Sequence, residues 1–134
     1  MDNLYQENIL DHAHNPRNKK IMSDATCHAK GDNPSCGDIG TLYIKFSQTL
    51  PNSISDKNDK VSEASFDGVG CAISQASMSM MTEFVNGKTI HELKMIMPGD
   101  VYKMLGVSIT PPRVNCALLS YRALEQLLPD CANI

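Results

Sequence analysis

The order in which strand-like and helix-like patterns occur is the feature that most constrains this chain. Residues 39–46 alternate apolar and polar side chains, and residues 61–69 do the same after a polar stretch at 47–60. Alternation with a period of two is typical of strands that have one buried face. Two such strands joined by one polar loop predict an antiparallel pair. A further short strand is predicted at residues 25–30.

Helical periodicity dominates the sequence after the second strand. The strongest pattern is at residues 72–86, where apolar side chains recur at helical spacing. Further helices are predicted at residues 3–13, from the capping box of Thr89 and Glu92 to Pro98-Gly99, as a short turn at 101–105, and from Pro111-Pro112 to Pro129. Strands first and helices afterwards predict an α+β fold, in which helices cover one face of a small antiparallel sheet.

Length and charge exclude several classes of protein. The chain has 134 residues and no internal repeat, so we expect a single domain over residues 1–134. Its net charge of −3 and the lack of a Lys/Arg run argue against a nucleic-acid partner. No apolar run reaches the roughly 18 residues of a membrane span, and the N-terminus has no signal-peptide pattern. We therefore expect a cytoplasmic protein with no membrane partner.

Five cysteines, Cys27, Cys36, Cys71, Cys116 and Cys131, carry the chemical information. An odd number leaves one cysteine out of any closed set of disulfides, and without a secretion signal we expect free thiols. Cys27 in the short strand and Cys131 in the C-terminal tail fit a structural role. The other three lie at predicted element ends, two of them beside glycine and Cys116 four residues after Pro112, and metal or sulfur chemistry and core filling both stay open as their role. The spacing of a zinc finger or ribbon is absent from the sequence.

The positions of these three cysteines favour thiolates that converge on one site. Cys36 and Asp38 are two residues apart in extended backbone, so both side chains point to the same side. Cys71 precedes the helix at 72–86, and Cys116 begins the last predicted helix. The unpaired N–H groups and the positive dipole end at a helix start lower the pKa of a thiol. Because a thiolate is both a nucleophile and a metal ligand, the sequence predicts reactive or metal-binding cysteines.

Three motifs occur in order, NPSCGD at residues 33–38, GCAIS at 70–74 and PRVNCA at 112–117. With the first helix and the NPRN segment at 15–18, they make the chain resemble the iron–sulfur cluster assembly scaffold family of IscU, SufU and the N-terminal domains of NifU. The resemblance spans nearly the whole chain. It implies an α+β fold of the SufE/NifU type, in which helices pack on a three-stranded antiparallel sheet and the three cysteines gather at one exposed end.

The resemblance also implies a function. Members of this family accept sulfur from a PLP-dependent cysteine desulfurase, bind iron, assemble a 2Fe–2S cluster and transfer it to apo iron–sulfur proteins, and many bind Zn²⁺ at the same site. The ligands carried over by motif are Cys36, Asp38, Cys71 and Cys116, of which Cys36 and Cys116 are candidate persulfide acceptors. One weaker carboxylate among three thiolates suits a cluster that must be released. We expect a non-enzymatic scaffold that is a monomer or a weak homodimer.

Two positions depart from the IscU branch and support an alternative. That branch has a histidine where this chain has Asn115, and its LPPVK segment is replaced by TPPRV at residues 110–114. The PRxxCA pattern resembles SufU more closely, yet the interval from Cys71 to Cys116 is too short for the SufU insertion. The alternative is a zinc-dependent sulfurtransferase, in which Cys36 accepts persulfide sulfur from the desulfurase. A structural zinc domain is a third possibility.

Overall fold

A three-stranded sheet and six helices make up the described residues of the computed structural model, which are 2–33, 37–47, 60–106 and 108–132. In chain order the elements are α1 (Asp2–His14), β1 (Cys27–Asn33), β2 (Asp38–Ser47), β3 (Lys60–Val69), α2 (Ala72–Phe84), α3 (Ile90–Lys94), α4 (Pro98–Leu105), a 3-10 turn (Pro111–Arg113), α5 (Val114–Ala117) and α6 (Leu119–Ala132). Cys36 and most of the predicted loop at 47–60 lie outside the described residues. None of the helices in the described part of the chain is long and apolar enough to cross a membrane.

The sheet has the order β1-β2-β3, and both strand pairs are antiparallel. In β2, Leu42, Ile44 and Phe46 are buried, whereas the alternate positions are partly exposed. This is the burial that the alternation predicts, since one face of the sheet packs against helices and the other meets solvent. The predicted α+β class, the three-stranded antiparallel sheet and the pairing of β2 with β3 are confirmed.

Strand β1 lies slightly later in the chain than predicted. It covers Cys27–Asn33, whereas the pattern indicates residues 25–30. The sequence of β1 is mostly polar or small, so its alternation is too weak to place its ends. The extra residues matter because Asn33, the last of β1, pairs with Asp38, the first of β2. The pairing of β1 with β2 therefore extends to the two residues on either side of the segment that contains Cys36.

Helix α2 connects the sheet to the helices that follow it. It contacts α1, α4, α5 and α6 as well as β2 and β3. The centre of its predicted apolar stripe is buried, including Ala76 and Met81, the two ends of the stripe are partly buried, and serines on its other sides are buried as well. The hydroxyl of Ser77 donates a hydrogen bond to the carbonyl oxygen of Ala117 at 2.6 Å. This bond holds α5 against α2, and these two helices carry the second and third cysteine motifs.

Pro98 does not end a helix, as the sequence predicts, but begins α4. A proline in the first helical turn is tolerated because the N–H it lacks would have no partner inside the helix. The backbone N–H of Met97 donates to Oδ2 of Asp100 at 2.8 Å, which satisfies the helix start. The predicted short turn at 101–105 is therefore the second half of an eight-residue helix.

Pro129 does not end the last helix either, because α6 continues through it to Ala132. Two residues later in the same turn, Cys131 forms a disulfide with Cys27 on β1, and this bond holds the last turn of the helix on the sheet. The predicted last helix is also divided near its start. Leu118, with a ψ of 7°, separates α5 from α6.

Helix α6 packs directly on the backbone of β1. A Cβ atom built on Gly31 would lie 2.8 Å from both the backbone nitrogen of Ala123 and the carbonyl oxygen of Leu119. Further along the same pair, Cys27 and Cys131 form a buried disulfide, with Cα atoms 5.6 Å apart. The expectation of free thiols is wrong for these two cysteines. They are 104 residues apart in sequence, so that only the packing of α6 on β1 brings them together.

Replacing Gly31 with alanine is expected to lower the free energy of unfolding by about 1–3 kcal/mol, because the added methyl group overlaps the α6 backbone. Urea unfolding followed by circular dichroism measures the change. Gly99→Ala is the matched control, since none of the described heavy atoms lies within 4 Å of its added Cβ. We expect that variant to be neutral or stabilised by at most about 1 kcal/mol. Equal effects of the two substitutions would contradict the close contact between α6 and β1.

Reduction of the Cys27–Cys131 disulfide is expected to lower the free energy of unfolding by about 2–5 kcal/mol, because the bond closes a loop of about a hundred residues. Urea unfolding of metal-free protein with and without a reductant measures the loss. A thiol count in denaturant should rise by two on reduction. The Cys27→Ala/Cys131→Ala double variant is the control, and its stability should not respond to the reductant. A reductant response that persists in the double variant would contradict the assignment.

Candidate metal and sulfur site

Asp38, Cys71 and Cys116 meet at one end of the sheet. One ligand atom from each of them lies within 4.8 Å of the others. Asp38 begins β2, Cys71 immediately precedes α2, and Cys116 lies on α5. The tertiary structure thus gathers three of the four side chains that the motifs predict as ligands. The fourth, Cys36, is outside the described residues and remains a prediction.

The carboxylate of Asp38 is buried with one oxygen unpaired. The side chain is only 3% exposed. Its Oδ1 accepts a hydrogen bond from the backbone N–H of Cys71 at 3.3 Å. Its Oδ2 has no hydrogen-bond partner among the described residues. An unpaired carboxylate oxygen away from water is costly, so this atom indicates a missing partner such as a cation or a donor group.

Gly70 allows the second motif to approach the first. A Cβ atom built on Gly70 would lie 2.9 Å from Oδ1 of Asp38 and would collide with the hydroxyl oxygen of Ser74. Only glycine therefore leaves room for the carboxylate beside this backbone. The next residue, Cys71, has extended backbone at the N-cap of α2, with φ −72° and ψ 172°. The sequence prediction that Cys71 lies at a helix start is correct.

Opposing effects act on the pKa of Cys71. Partial burial raises the pKa because it disfavours the charged thiolate. Hydrogen bonds to the backbone and hydroxyl of Ser74, together with a hydrogen bond to the Cys116 thiol, lower it. The net result is a pKa below the ordinary value of 9.0. Cys71 is therefore the more readily ionised of the two described thiols.

Cys116 behaves in the opposite way. Burial is the main cause that raises the pKa of Cys116 to about 12, and interaction with the neighbouring Cys71 and Asp38 side chains, whose charges repel a thiolate, adds to it. The expectation of a thiol activated by a helix start is wrong here, because α5 is only four residues long and Cys116 is its third residue. A short helix has little dipole, and burial outweighs it. The side chain is fully buried and its sulfur lies 3.9 Å from Nδ2 of Asn33.

Sequence reasoning missed two side chains that contact this group. The guanidinium of Arg113 has a raised pKa because it interacts first with Cys116 and also with Cys71. Arg113 is exposed, so it places a positive charge at the mouth of the site. Asn33 contacts the site from its buried side. Both residues belong to the quoted motifs. For Arg113 the sequence offered a signal, because a residue three positions before a cysteine lies on the same face of a helix.

Asn115, which departs from the IscU branch, is held by α6. Its Oδ1 accepts a hydrogen bond from Nη2 of Arg122 at 2.6 Å. A charge-assisted bond of this length fixes the orientation of the carboxamide. The amide oxygen of Asn115 is therefore engaged by a side chain outside the group of Asp38, Cys71 and Cys116.

The donor set fits a thiophilic metal. Thiolates with a carboxylate are ligands of Zn²⁺, and thiolates are the ligands of iron–sulfur clusters. A bound cation would satisfy the unpaired Oδ2 of Asp38 and would also neutralise two thiolates that otherwise repel each other. Tetrahedral coordination needs one more ligand than the described residues supply.

Comparison with known proteins places this arrangement in context. Residues 4–132 match the family described as NifU-like N terminal domain. The chain is 38% identical to the zinc-dependent sulfurtransferase SufU of Bacillus subtilis, over 94% of this chain and 90% of that protein. It is 32% identical to the iron-sulfur cluster assembly scaffold protein IscU of Thermotoga maritima, over 93% of this chain and 92% of that protein. The crystal structure of FiSufU, a protein of the SUF system from Fervidobacterium islandicum, superimposes with a TM-score of 0.71 at 32% identity, covering 91% of this chain and 94% of that one.

Cys71 is expected to react with iodoacetamide at least about a hundredfold faster than Cys116 in metal-free protein near neutral pH, because only the thiolate reacts. The pKa of Cys71 lies below 9.0, whereas Cys116 stays protonated until the pH approaches its pKa of about 12. Peptide mass spectrometry of samples quenched over time measures both rates. Raising the pH should increase the rate at Cys71 first. Equal rates at the two residues near neutral pH would contradict the assignment.

Proposed function

We propose that this chain, which belongs to the NifU-like N-terminal domain family, is a scaffold for iron–sulfur cluster assembly. It accepts sulfur from a PLP-dependent cysteine desulfurase, receives iron, and transfers a 2Fe–2S cluster to apo proteins. The single observation that carries this proposal is the buried, unpaired Oδ2 of Asp38 beside the thiols of Cys71 and Cys116. Such a group is costly unless it binds a cation or accepts a hydrogen bond, and the two neighbouring thiols favour a metal cation.

We assign four ligands to the site, Cys36, Asp38, Cys71 and Cys116. The three described ones lie within reach of a single metal ion. Cys71 supplies the readily formed thiolate, whereas Asp38 supplies a harder oxygen that binds iron less firmly than sulfur does. One weak ligand gives the scaffold a bond that can break first when the cluster leaves. Arg113 offsets the negative charge of the thiolates at the mouth of the site.

Burial bears on which cysteine first accepts sulfur. The attacking thiolate must approach the outer sulfur of the donor persulfide along the axis of the sulfur–sulfur bond that breaks. Cys116 is fully buried and has a raised pKa, so its sulfur is neither accessible nor readily ionised. Of the two candidate acceptors that the motifs indicate, Cys36 and Cys116, we therefore propose Cys36 as the first, and we keep Cys71 as a ligand. The thiolate of Cys36 attacks the terminal sulfur of the desulfurase persulfide, the sulfur–sulfur bond of that persulfide breaks, and the desulfurase cysteine leaves as a thiolate. The sulfur now forms a persulfide on Cys36, so the transfer needs no external oxidant or reductant.

The alternative is a zinc-dependent sulfurtransferase. It is favoured by the 38% identity to a protein of that name and by Asn115, whose oxygen is bonded to Arg122 where the IscU branch has a histidine. In this case Zn²⁺ would be a resident group held by the other ligands, Asp38, Cys71 and Cys116, and it would stabilise thiolates as a Lewis acid and position the thiol of Cys36. Cys36 would accept and deliver the sulfur, and the protein would be an enzyme.

The partners we propose are the desulfurase and the apo acceptors. Ile39 and Val69, which are paired across β2 and β3 beside the site, are 40% and 66% exposed. An exposed apolar pair at the rim suits contact with another protein.

We propose a monomer or a weak homodimer of one domain over residues 1–134. We place the protein in the cytoplasm because sulfur transfer needs reduced thiols at the site, and we propose that the Cys27–Cys131 disulfide persists there because it is buried away from reductants.

Anaerobic reconstitution with iron, cysteine, a cysteine desulfurase and a dithiol reductant, which supplies the electrons that convert persulfide sulfur to sulfide, tests the proposal. We expect a visible-absorbing cluster, and transfer of it to an apo ferredoxin. Asp38→Ala should hold its cluster longer and transfer it more slowly, since the labile oxygen ligand is gone. Asp24→Ala is the matched control, because that carboxylate is an exposed partner of Lys45 and should leave transfer unchanged.

The same experiment separates the alternatives. Protein that holds one Zn²⁺, forms no cluster and raises desulfurase turnover would overturn the scaffold proposal in favour of the sulfurtransferase. Protein that holds Zn²⁺ without either activity would leave only a structural zinc domain. Cys71→Ser tests the shared site in all cases, because unchanged metal content in that variant would show that these residues do not form it.

A further inference from the structure

Asn33 is a buried polar side chain that the proposed function has not used. It ends β1 and is only 1% exposed. Its side-chain Nδ2 donates toward the sulfur of Cys116 at 3.9 Å, a contact between residues 83 positions apart. Buried amides are costly unless they are paired, so a buried donor aimed at a sulfur is an arrangement that needs an explanation.

The backbone of Asn33 serves the first cysteine motif as well. Its carbonyl oxygen accepts a hydrogen bond from the backbone N–H of Gly37 at 2.9 Å, across the chain segment that contains Cys36. Gly37 has a φ of 73°, which glycine adopts without a steric penalty. In the strand ladder, Asn33 is also the partner of Asp38. One residue therefore joins the segment that carries the first motif to the sulfur of the third.

A donor at this point affects a thiolate in two ways. An N–H group directed at a sulfur occupies one of its lone pairs, which lowers the electron density that the sulfur offers to a metal. It also fixes the direction in which the remaining lone pairs point. Cys116 needs such help because its own four-residue helix provides little dipole and its side chain is fully buried, away from water that could orient the sulfur.

We propose that Asn33 is a positioning residue for the metal or cluster held by this site, whose side-chain amide donates to the sulfur of Cys116 and orients it toward Asp38 and Cys71. The inference rests on the proposed function, since it assumes that Cys116 is a ligand. The amide tunes that ligand and is not a ligand itself. Loss of the donor therefore alters the metal–sulfur bond specifically at Cys116.

Oxygen-free binding of Co²⁺ provides the test, because the sulfur-to-cobalt charge-transfer band reports the energy of the sulfur lone pairs. Asn33→Asp keeps the shape of the side chain but replaces the donor, and Asn33→Ala removes the donor without adding charge. We expect both variants to shift the band to lower energy and to weaken Co²⁺ binding by about tenfold. Asn18→Asp is the matched control, since its Nδ2 donates to Oγ1 of Thr82 at 3.1 Å, away from the site, and it should keep the wild-type spectrum.

A second pair of backgrounds distinguishes tuning from a general structural role. When Cys116 is replaced by serine, Asn33→Ala should cause no further shift of the band, because the affected sulfur is gone. In a Cys71→Ser background, at Co²⁺ concentrations raised until the weakened site is loaded, the same substitution should still shift it. Equal shifts in both backgrounds would overturn the inference and assign Asn33 a purely structural role.

The failures of the two proposals are distinguishable. If wild-type protein binds Co²⁺ with no sulfur-to-cobalt band, the metal site of the proposed function is wrong. If wild type shows the band and the folded Asn33 variants keep it unchanged, only the role of Asn33 is wrong. Should the Asn33 variants unfold, the side-chain amide resonances of wild-type protein decide the matter. Loading with Cd²⁺ should move those of Asn33 more than those of Asn18, and equal changes would overturn the inference.

Discussion

The contact of helix α6 with the backbone of strand β1 is the constraint on which the rest of the structure depends. It is so close at Gly31 that a single methyl group would overlap the helix backbone. The disulfide of Cys27 with Cys131 closes one end of this pair, and Asn33 meets Cys116 near the other. Because α6 follows α5 directly, its placement on β1 also determines where Cys116 lies. Packing far from the site therefore sets the position of one predicted ligand.

The site itself concentrates groups that repel one another when charged. Asp38 and Cys116 are buried, and the carboxylate keeps one oxygen without a partner among the described residues. In the absence of a cation, burial raises the pKa of Cys116 and keeps its thiol protonated, which also limits this repulsion. A metal reverses the balance, since its charge stabilises both thiolates and the carboxylate at once. The same arrangement can therefore exchange protons for a metal.

The two functions under consideration use the same four side chains, so they differ in how those side chains are used and in the residues around them. A scaffold needs one weakly bound ligand that dissociates from the cluster first, whereas a sulfurtransferase needs one thiol that remains uncoordinated and free to react. Asn115 and Arg122 are relevant because their bond ties the residue beside Cys116 to α6. Arg113 is relevant because its charge lies at the exposed side, where a partner protein would approach.

Local patterns in the sequence determined the strand pair β2 and β3, the helix α2 and the motifs of the site, because periodicity and capping depend on neighbouring residues. Tertiary structure alone decided two further features, the course of the last helix and the ionisation of Cys116. Pro129 stays within a helix because a disulfide to a residue 104 positions away holds the turn that follows it. Cys116 has a raised pKa because burial outweighs the dipole of a four-residue helix. Burial and contact between distant segments are properties of packing, and no local sequence pattern encodes them.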